Sequence, residues 1–284
     1  MNVNNNEGDT MNYRTDFADE IVNNKGKTHN KKVLEDKNIK MTIIDILTEN
    51  NEFNKEKGKY ISIEFEKLYD ENERKQISTF LVDSLKKIYN IKKKDKVLIV
   101  GLGNEKIIAD SLGPLVADKI MVTNHLFSYF QNDLSTDIKK VCVFTPKVMG
   151  QTGLESADLV KAVVDLYKPN VVIAIDALAS SSIKRINKVI QLSDTGISPG
   201  SGVGNYRKEI TEKSLKCKVI AIGVATVVEA NNIIKELMPE VTIHDNKNYN
   251  LILTPKEIDE DIEHISTIIS NAINKYIHGD YSSM

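Results

Sequence analysis

Apolar positions recur along this chain with two periods, and the two alternate. Period-two or unbroken apolar runs predict strands at YISIEFE (60–66), KVLIVGLG (96–103), KKVCVFT (139–145), VVIAID (171–176) and KCKVIAIGV (216–224), because a strand points successive side chains to opposite faces. Helical spacing takes over between them. Ile77, Phe80, Leu81, Leu85 and Ile88 fall on one face of a helix over 74–90. Further helices are predicted at about 112–122, within QTGLESADLVKAVVDLYKPN (151–170), within TVVEANNIIKEL (226–237), and after the short strand in NLILT (250–254). Thr152 with Glu155, and Thr254 with Pro255 and Glu257, have the spacing of capping boxes. Strands alternating with helices predict an α/β fold: a mostly parallel sheet with helices on both faces. KVIQLS (188–193) is expected to add to it antiparallel. No internal repeat is visible.

The first 58 residues depart from this pattern. They are polar, rich in Asn and Lys, with one short apolar segment, MTIIDIL (41–47). The expected organisation is therefore a polar N-terminal segment that docks on an α/β domain spanning 59–284.

Composition narrows the class. Of 284 residues, 38 are Lys or Arg and 40 are Asp or Glu, so no global positive field points to nucleic acid. The local KKKDK (92–96) precedes a strand and reads as a solvated turn. Two cysteines, Cys142 and Cys217, sit inside strand-like runs and suit a reducing, cytoplasmic compartment. The N-terminus has no apolar core of a secretion signal, and no apolar stretch is long enough to span a membrane.

The candidate chemistry is carboxylate chemistry. The run VVIAIDALAS reaches Asp176 and then turns to small residues. In open α/β sheets functional groups gather just beyond such strand ends, so Asp176 is either a hydrogen-bond acceptor for the next turn or part of a site. Asp110 follows the preceding strand in GLGNEKIIADSLGP, where its alternative role is to cap the next helix. The glycines there do not complete a dinucleotide fingerprint: Lys106 stands where the third is needed, Gly113 comes too late, and no acidic residue closes the next strand. No cofactor is expected. Two carboxylates in one cleft cannot both ionise easily, so one keeps its proton as an acid while the other serves as a base. The five histidines form no zinc-binding spacing, and no G-x-S-x-G marks a serine nucleophile. The loop SDTGISPGSGVGN (193–205) contains Asp194 in an Asp-Thr-Gly triplet. The all-β enzymes that use that triplet need two copies, so this loop is expected to wall the cleft instead, with a plain structural loop the alternative.

Taken together, GLGN…ADSLGP, VMGQTGLESADLV, VVIAIDALAS, ISPGSGVGN, VIAIGVATVVEA and LTPKEID resemble the germination protease family of spore-forming Gram-positive bacteria. The resemblance runs through most of residues 97–258. It implies an endopeptidase of the spore core that degrades small acid-soluble spore proteins, made in the forespore as a self-processing zymogen and assembled as a homotetramer. It assigns the aspartic-type pair to Asp110 and Asp176, metal-free, and lines the cleft with Asn104, Gly150 and Asp194. RTDFADE (14–20) resembles the family's prosequence junction, which makes 1–16 a propeptide cut between Asp16 and Phe17. The family's substrates have a similar order: an acid, a large apolar residue, alanine, a small or polar residue, then glutamate. The stretch 237–249 is short where many members carry an insertion, which bears on assembly. The fold the resemblance implies is phosphorylase/hydrolase-like and similar to that of hydrogenase-maturation endopeptidases, which recognise nickel through acidic residues and a histidine after a later strand. VIAIGVATVVEA supplies none, and a nickel-dependent protease or a non-catalytic binding module remain the alternatives.

Overall fold

Alternating apolar side chains divide each central strand between two faces of one sheet. Along β4 (Lys96–Gly101), Val97 and Ile99 enter one core layer while Leu98 and Val100 enter the other. The computed structural model describes residues 15–22, 26–129, 138–199, 207–240 and 251–279. In chain order its strands are β1 (His29–Asp36), β2 (Ile39–Ile46), β3 (Gly58–Glu64), β4, β5 (Lys140–Phe144), β6 (Val171–Ser180), β7 (Val189–Ser193), β8 (Lys218–Glu229) and β9 (Ile252–Leu253). They form one sheet in the order β1-β2-β3-β7-β8-β6-β4-β5, with β9 paired to β8.

The α/β class is observed, but the sheet is mixed rather than mostly parallel. Only β5–β4, β4–β6 and β6–β8 run parallel; the pairs from β1 through β7 to β8, and β8 with β9, are antiparallel. The difference comes from the N-terminal segment. The stretch expected only to dock on the domain contributes β1 and β2 to its sheet. Two residues join these strands, and a connection that short permits only antiparallel pairing. β1 escaped the periodicity because it is an edge strand, HNKKVLED, exposed along most of its length. Charges on an edge discourage pairing with another chain. KVIQLS is the antiparallel β7, as its pattern predicts.

Helices cover both faces. The larger layer packs α2 (Glu71–Ile88), α3 (Leu112–Asp118) and α9 (Ile258–His278) on the sheet, through Ile77, Leu81, Leu85, Leu112, Val116, Ile265, Ile269 and Ile273. On the other face α6 (Ser156–Tyr167) and α7 (Glu212–Leu215) bury Val160, Val164 and Leu215 against Leu98, Val172 and Val219. Each such side chain, fully buried, contributes about 1.5–3 kcal/mol. Shorter helices are α1 (Ala18–Ile21), α4 (Leu126–Tyr129), α5 (Met149–Thr152) and α8 (Ala230–Leu237). Among the described residues no helix is long and apolar enough to cross a membrane.

Helix starts differ in detail from the capping patterns. Gly153 turns left-handed (φ 74°) and ends α5 at Thr152, so Glu155 becomes the residue preceding α6. Thr254 donates its hydroxyl to the Thr226 carbonyl at 2.8 Å, and α9 begins after Glu257. The helix expected over 112–122 stops at Asp118.

Candidate active site

β6 does not end on Asp176; it continues to Ser180. Its pairing with β4 stops at Gly101↔Ile175, where the Leu102 N–H still reaches the Ile175 carbonyl at 2.8 Å. Beyond that point β6 keeps β8 on one side and has lost β4 on the other. Asp176 is the first residue after the loss. It is 4% exposed, opposite Gly223 of β8, and its Oδ1 accepts the Ala177 N–H at 2.9 Å.

The chain leaving β4 returns Asp110 to the same place. Gly103 adopts φ 113°, and a Cβ there would lie 2.1 Å from the Asp110 carbonyl oxygen. Gly113, in the first turn of α3, has backbone oxygens of Leu102 and Ile175 at 2.2 and 2.6 Å from where its Cβ would be. The glycines that imitate a nucleotide motif therefore allow a helix to press against two strand ends. Asp110 does not cap α3. Its Oδ2 and its carbonyl both accept the Asn104 N–H, each at 2.9 Å. Asp110 and Asp176 line one cavity of about 520 Å³, with Met149, Pro199 and Thr226 also in its wall.

Both carboxyls are shifted toward their neutral forms. Burial pushes Asp110 up to about 6, against the lowering effect of the Asn104 N–H. Asp176 lies well above the usual carboxylate range. Burial is the main cause, the Asp110 charge adds to it, the Ala177 N–H opposes it, and the Asp16 charge adds further. Desolvation and like charge act together here. Both shifts favour the neutral carboxyl, and the Asp110 charge disfavours ionisation of Asp176 beside it, so the two resist ionising together, as an acid/base pair requires.

Residues 16–20 are seated along the unpaired part of β6. Asp16 lines the cavity of the two carboxyls. Its N–H donates to the Ala179 carbonyl (3.1 Å), and its Oδ2 accepts the Ala179 N–H (2.9 Å). Phe17 is fully buried with Leu178, Val189 and Ala225, under the Arg185 guanidinium. The Ala18 N–H donates to Gln191 Oε1 at 2.9 Å. Glu20 accepts from the Ser180 hydroxyl (2.5 Å), the Ser181 N–H (2.9 Å) and the Ser181 hydroxyl (2.7 Å). Arg185 spans Asp19 (2.8 Å) and Glu20 (3.4 Å). Phe17 is extended and α1 begins at Ala18, so Asp16 bonds to the free β6 edge as an added strand residue would, while Ala18 and Glu20 meet Gln191, Ser180 and Ser181 from a helical turn.

The remaining expected cleft residues fare differently. Asn104 acts through its backbone on Asp110, while its Oδ1 accepts from Gln151 Nε2 at 2.9 Å. Gly150 has open space around it, and its neighbours Val148 and Met149 line the cavity instead, because α5 turns it outward. Asp194 does not line the cavity. It accepts the Lys59 N–H at 2.7 Å and pins the start of β3, a structural role. Of the 193–205 loop, Pro199 reaches the cavity wall; residues 200–206 lie outside the described residues, as do 241–250 of the short stretch. Cys142 and Cys217 are free and pack against the smaller core layer. Among the described residues no three His, Cys, Asp or Glu side chains cluster as metal ligands.

Sequence reasoning missed Ser180, Ser181, Arg185, Gln191 and Lys55, all of which contact residues 16–20. Arg185 carried the best signal. It is one of four arginines in a chain that otherwise uses lysine, and a guanidinium suits paired carboxylates better than an ammonium does.

Residues 7–249 match the family model described as germination protease. The chain is 39% identical over 271 residues to the germination protease of Clostridium tetani, covering 83% of this chain and 84% of that protein. It is 37% identical over 306 residues to that of Clostridium perfringens strain 13, covering 93% and 94%. Identity to the Bacillus subtilis germination protease is 32% over 307 residues, covering 84% and 83%. Among solved structures, a NiFe hydrogenase maturation protease from Thermococcus kodakarensis superposes with a TM-score of 0.36 at 16% identity, over 67% of this chain and 98% of that one.

Proposed function

The chain belongs to the germination protease family and is a peptidase, and from that premise we propose that it is a self-processing spore endopeptidase working through Asp110 and Asp176. Its substrates are the small acid-soluble spore proteins of the spore core, and its first substrate is itself. The chain is a zymogen in which the bond between Asp16 and Phe17 is cut, releasing residues 1–16 as a propeptide. The active form is a homotetramer, as the resemblance implies. The observation that carries this reading is the placement of Asp16 to Glu20. The segment whose order matches the family's substrates lies along the strand edge beside both carboxyls, with Asp16 in the cavity wall.

The chemistry follows from the two shifted carboxyls. Asp110, ionised above about 6, takes a proton from water as the oxygen attacks the Asp16 carbonyl carbon. Asp176, which burial and the Asp110 charge push toward its protonated form, donates that proton to the Phe17 nitrogen as the peptide bond breaks. The products are a carboxylic acid at Asp16 and an amine at Phe17, and transfer of the acid's proton to the amine leaves a carboxylate and an ammonium. The pair supplies a typical general acid–base contribution of about 10²–10⁴-fold.

The test is direct. Processed protein is incubated with a purified small acid-soluble spore protein and the products are mass-mapped. The reading requires one dominant cut between an acidic residue and a large apolar one, with alanine next and glutamate three places beyond the apolar residue. An intact substrate, or cuts scattered without regard to that order, overturns it.

A further inference from the structure

The Asp16 carbonyl oxygen is held from the side opposite the amide that follows it in the chain, by two donors from distant segments. Lys55 Nζ donates to it at 2.9 Å and Gln191 Nε2 at 3.3 Å. We propose that Lys55 and Gln191 form the oxyanion site of this peptidase, stabilising the negative charge that develops on that oxygen during cleavage of the Asp16–Phe17 bond. This inference rests on reading Asp16–Phe17 as a scissile bond.

The placement of both groups is built rather than incidental. Lys55 belongs to the loop between β2 and β3, and Asn51 fixes its backbone from both ends. Asn51 Nδ2 donates to the Lys55 carbonyl at 2.7 Å and Asn51 Oδ1 accepts the Lys55 N–H at 3.4 Å. Gln191 lies mid-strand on β7, between Ser62 of β3 and Gly223 of β8, and is 7% exposed. Its amide spans the bond in question: Nε2 reaches the carbonyl before the cut and Oε1 accepts the Ala18 N–H after it. Both contacts are to backbone, so the clamp serves any substrate sequence seated in this register. A second cavity of about 680 Å³ borders Asp16 on this side and is lined by Lys55 and Gln191, while the carboxyl pair lines the first. Asp16 thus borders both the Lys55 and Gln191 donors and the carboxyl pair.

That division completes the reaction. Water oxygen bonds to the carbonyl carbon on the acidic side, and its proton passes to the ionised carboxylate. The carbonyl π electrons move onto oxygen, where the ammonium and the amide N–H already point. Collapse of the tetrahedral species breaks the C–N bond, and the protonated carboxyl supplies the Phe17 amine with its proton. Donors aimed beforehand at a developing oxyanion cost no reorganisation during the reaction, and removing one slows hydrolysis by about 10²–10³-fold. Burial lowers the Lys55 ammonium from its ordinary value, opposed by the Asp16, Glu20 and Asp19 carboxylates. A poorly hydrated ammonium is a stronger partner for a new negative charge.

The test follows the appearance of Phe17 as a new terminus by intact mass, using the full chain in the wild type and in three variants. Lys55→Met removes the cation. Gln191→Glu keeps an acceptor for the Ala18 N–H but removes the donor to the Asp16 carbonyl. Asp176→Asn is the control for the carboxyl pair. The expected result is a slowing of about 100-fold in each of the first two variants, with hydrogen exchange of residues 17–22 as protected as in the wild type. Cutting by Lys55→Met at the wild-type rate overturns the inference. So does a slowing that comes with loss of protection, since Lys55 would then only anchor the segment. A failed functional reading looks different. A wild-type chain that never cuts this bond removes both, whereas cutting that survives Asp176→Asn removes the pair alone and leaves Lys55→Met to decide the oxyanion site.

Discussion

Asp16 and Ala179 exchange two hydrogen bonds: the Asp16 N–H donates to the Ala179 carbonyl at 3.1 Å, and the Ala179 N–H donates to Asp16 Oδ2 at 2.9 Å. Ala179 thus spends both of its backbone groups on one residue, past the point where β6 loses β4. One bond is indifferent to sequence, and the other selects a side chain with an oxygen at that reach. Hydrogen bonds to a charged acceptor contribute about 1.5–3 kcal/mol. Asp16→Ala is therefore expected to slow self-cleavage roughly 10- to 100-fold, and Asp16→Asn, which keeps the acceptor, by less. Timed intact-mass measurements separate the three. Equal rates for Asp16→Ala and wild type would show that Ala179 does not read this side chain.

Glu20 and Asp19 lie beneath Arg185 with side chains 6% and 4% exposed. Removing the guanidinium leaves two buried carboxylates short of their countercharge, a loss of about 3–5 kcal/mol where one partner of a buried pair is deleted. Arg185→Ala is expected to raise hydrogen exchange across residues 17–22. Adding Glu20→Gln should restore part of the protection, because the neutral amide needs no cation. Unchanged exchange in Arg185→Ala would mean that Phe17 burial alone seats the segment.

Stability should also report the two shifted carboxyls. An unfolded aspartate titrates near 3.9, whereas Asp110 is raised to about 6 and Asp176 further in the same direction. A carboxyl with a raised folded value binds its proton more tightly in the folded state. Its favourable contribution is complete below the unfolded value and is lost as pH climbs through the folded one. Asp110→Asn and Asp176→Asn do not titrate, so each should gain in thermal midpoint relative to wild type as pH rises from about 4 to beyond 6. A midpoint difference that stays constant over that range contradicts the shifts. The same values constrain self-cleavage. The rate should fall below about 6 as Asp110 loses its charge.

Gly113 tests the framework that brings Asp110 back to β6. A Cβ there meets backbone oxygens of Leu102 and Ile175 at 2.2 and 2.6 Å, and neither can move without disturbing β4 or β6. Gly113→Ala is expected to lose at least about 1–3 kcal/mol by overpacking and to reduce self-cleavage more than that loss of folded fraction explains. A variant of wild-type stability and rate would mean that the helix is free to draw back.

Much of this was legible in the chain. The period-two runs locate β3 through β8, and KVIQLS reads as antiparallel. Asp110 and Asp176 share one cavity, as expected of groups at strand ends of an open sheet, although Asp176 lies within β6, at the point where pairing with β4 stops. The failures have a common cause. β1 is a charged edge strand whose exposure erases its hydrophobic alternation, so the sheet was read as mostly parallel. Lys55 and Gln191 meet Asp16 across 39 and 175 residues of sequence. No local pattern records such a meeting, because it depends on β3 and β7 being neighbours. Asp194, expected in the cleft wall, instead accepts the Lys59 N–H across 135 residues of sequence, another meeting that no local pattern records.

The central claim is that this chain cuts itself between Asp16 and Phe17 with its own carboxyl pair. N-terminal sequencing of purified wild-type and Asp176→Asn protein, held side by side at neutral pH, tests it most directly. The account predicts Phe17 as the new terminus in the wild type and an uncut Asp176→Asn chain that remains folded. A wild-type terminus elsewhere, or Phe17 appearing equally fast in Asp176→Asn, would contradict it.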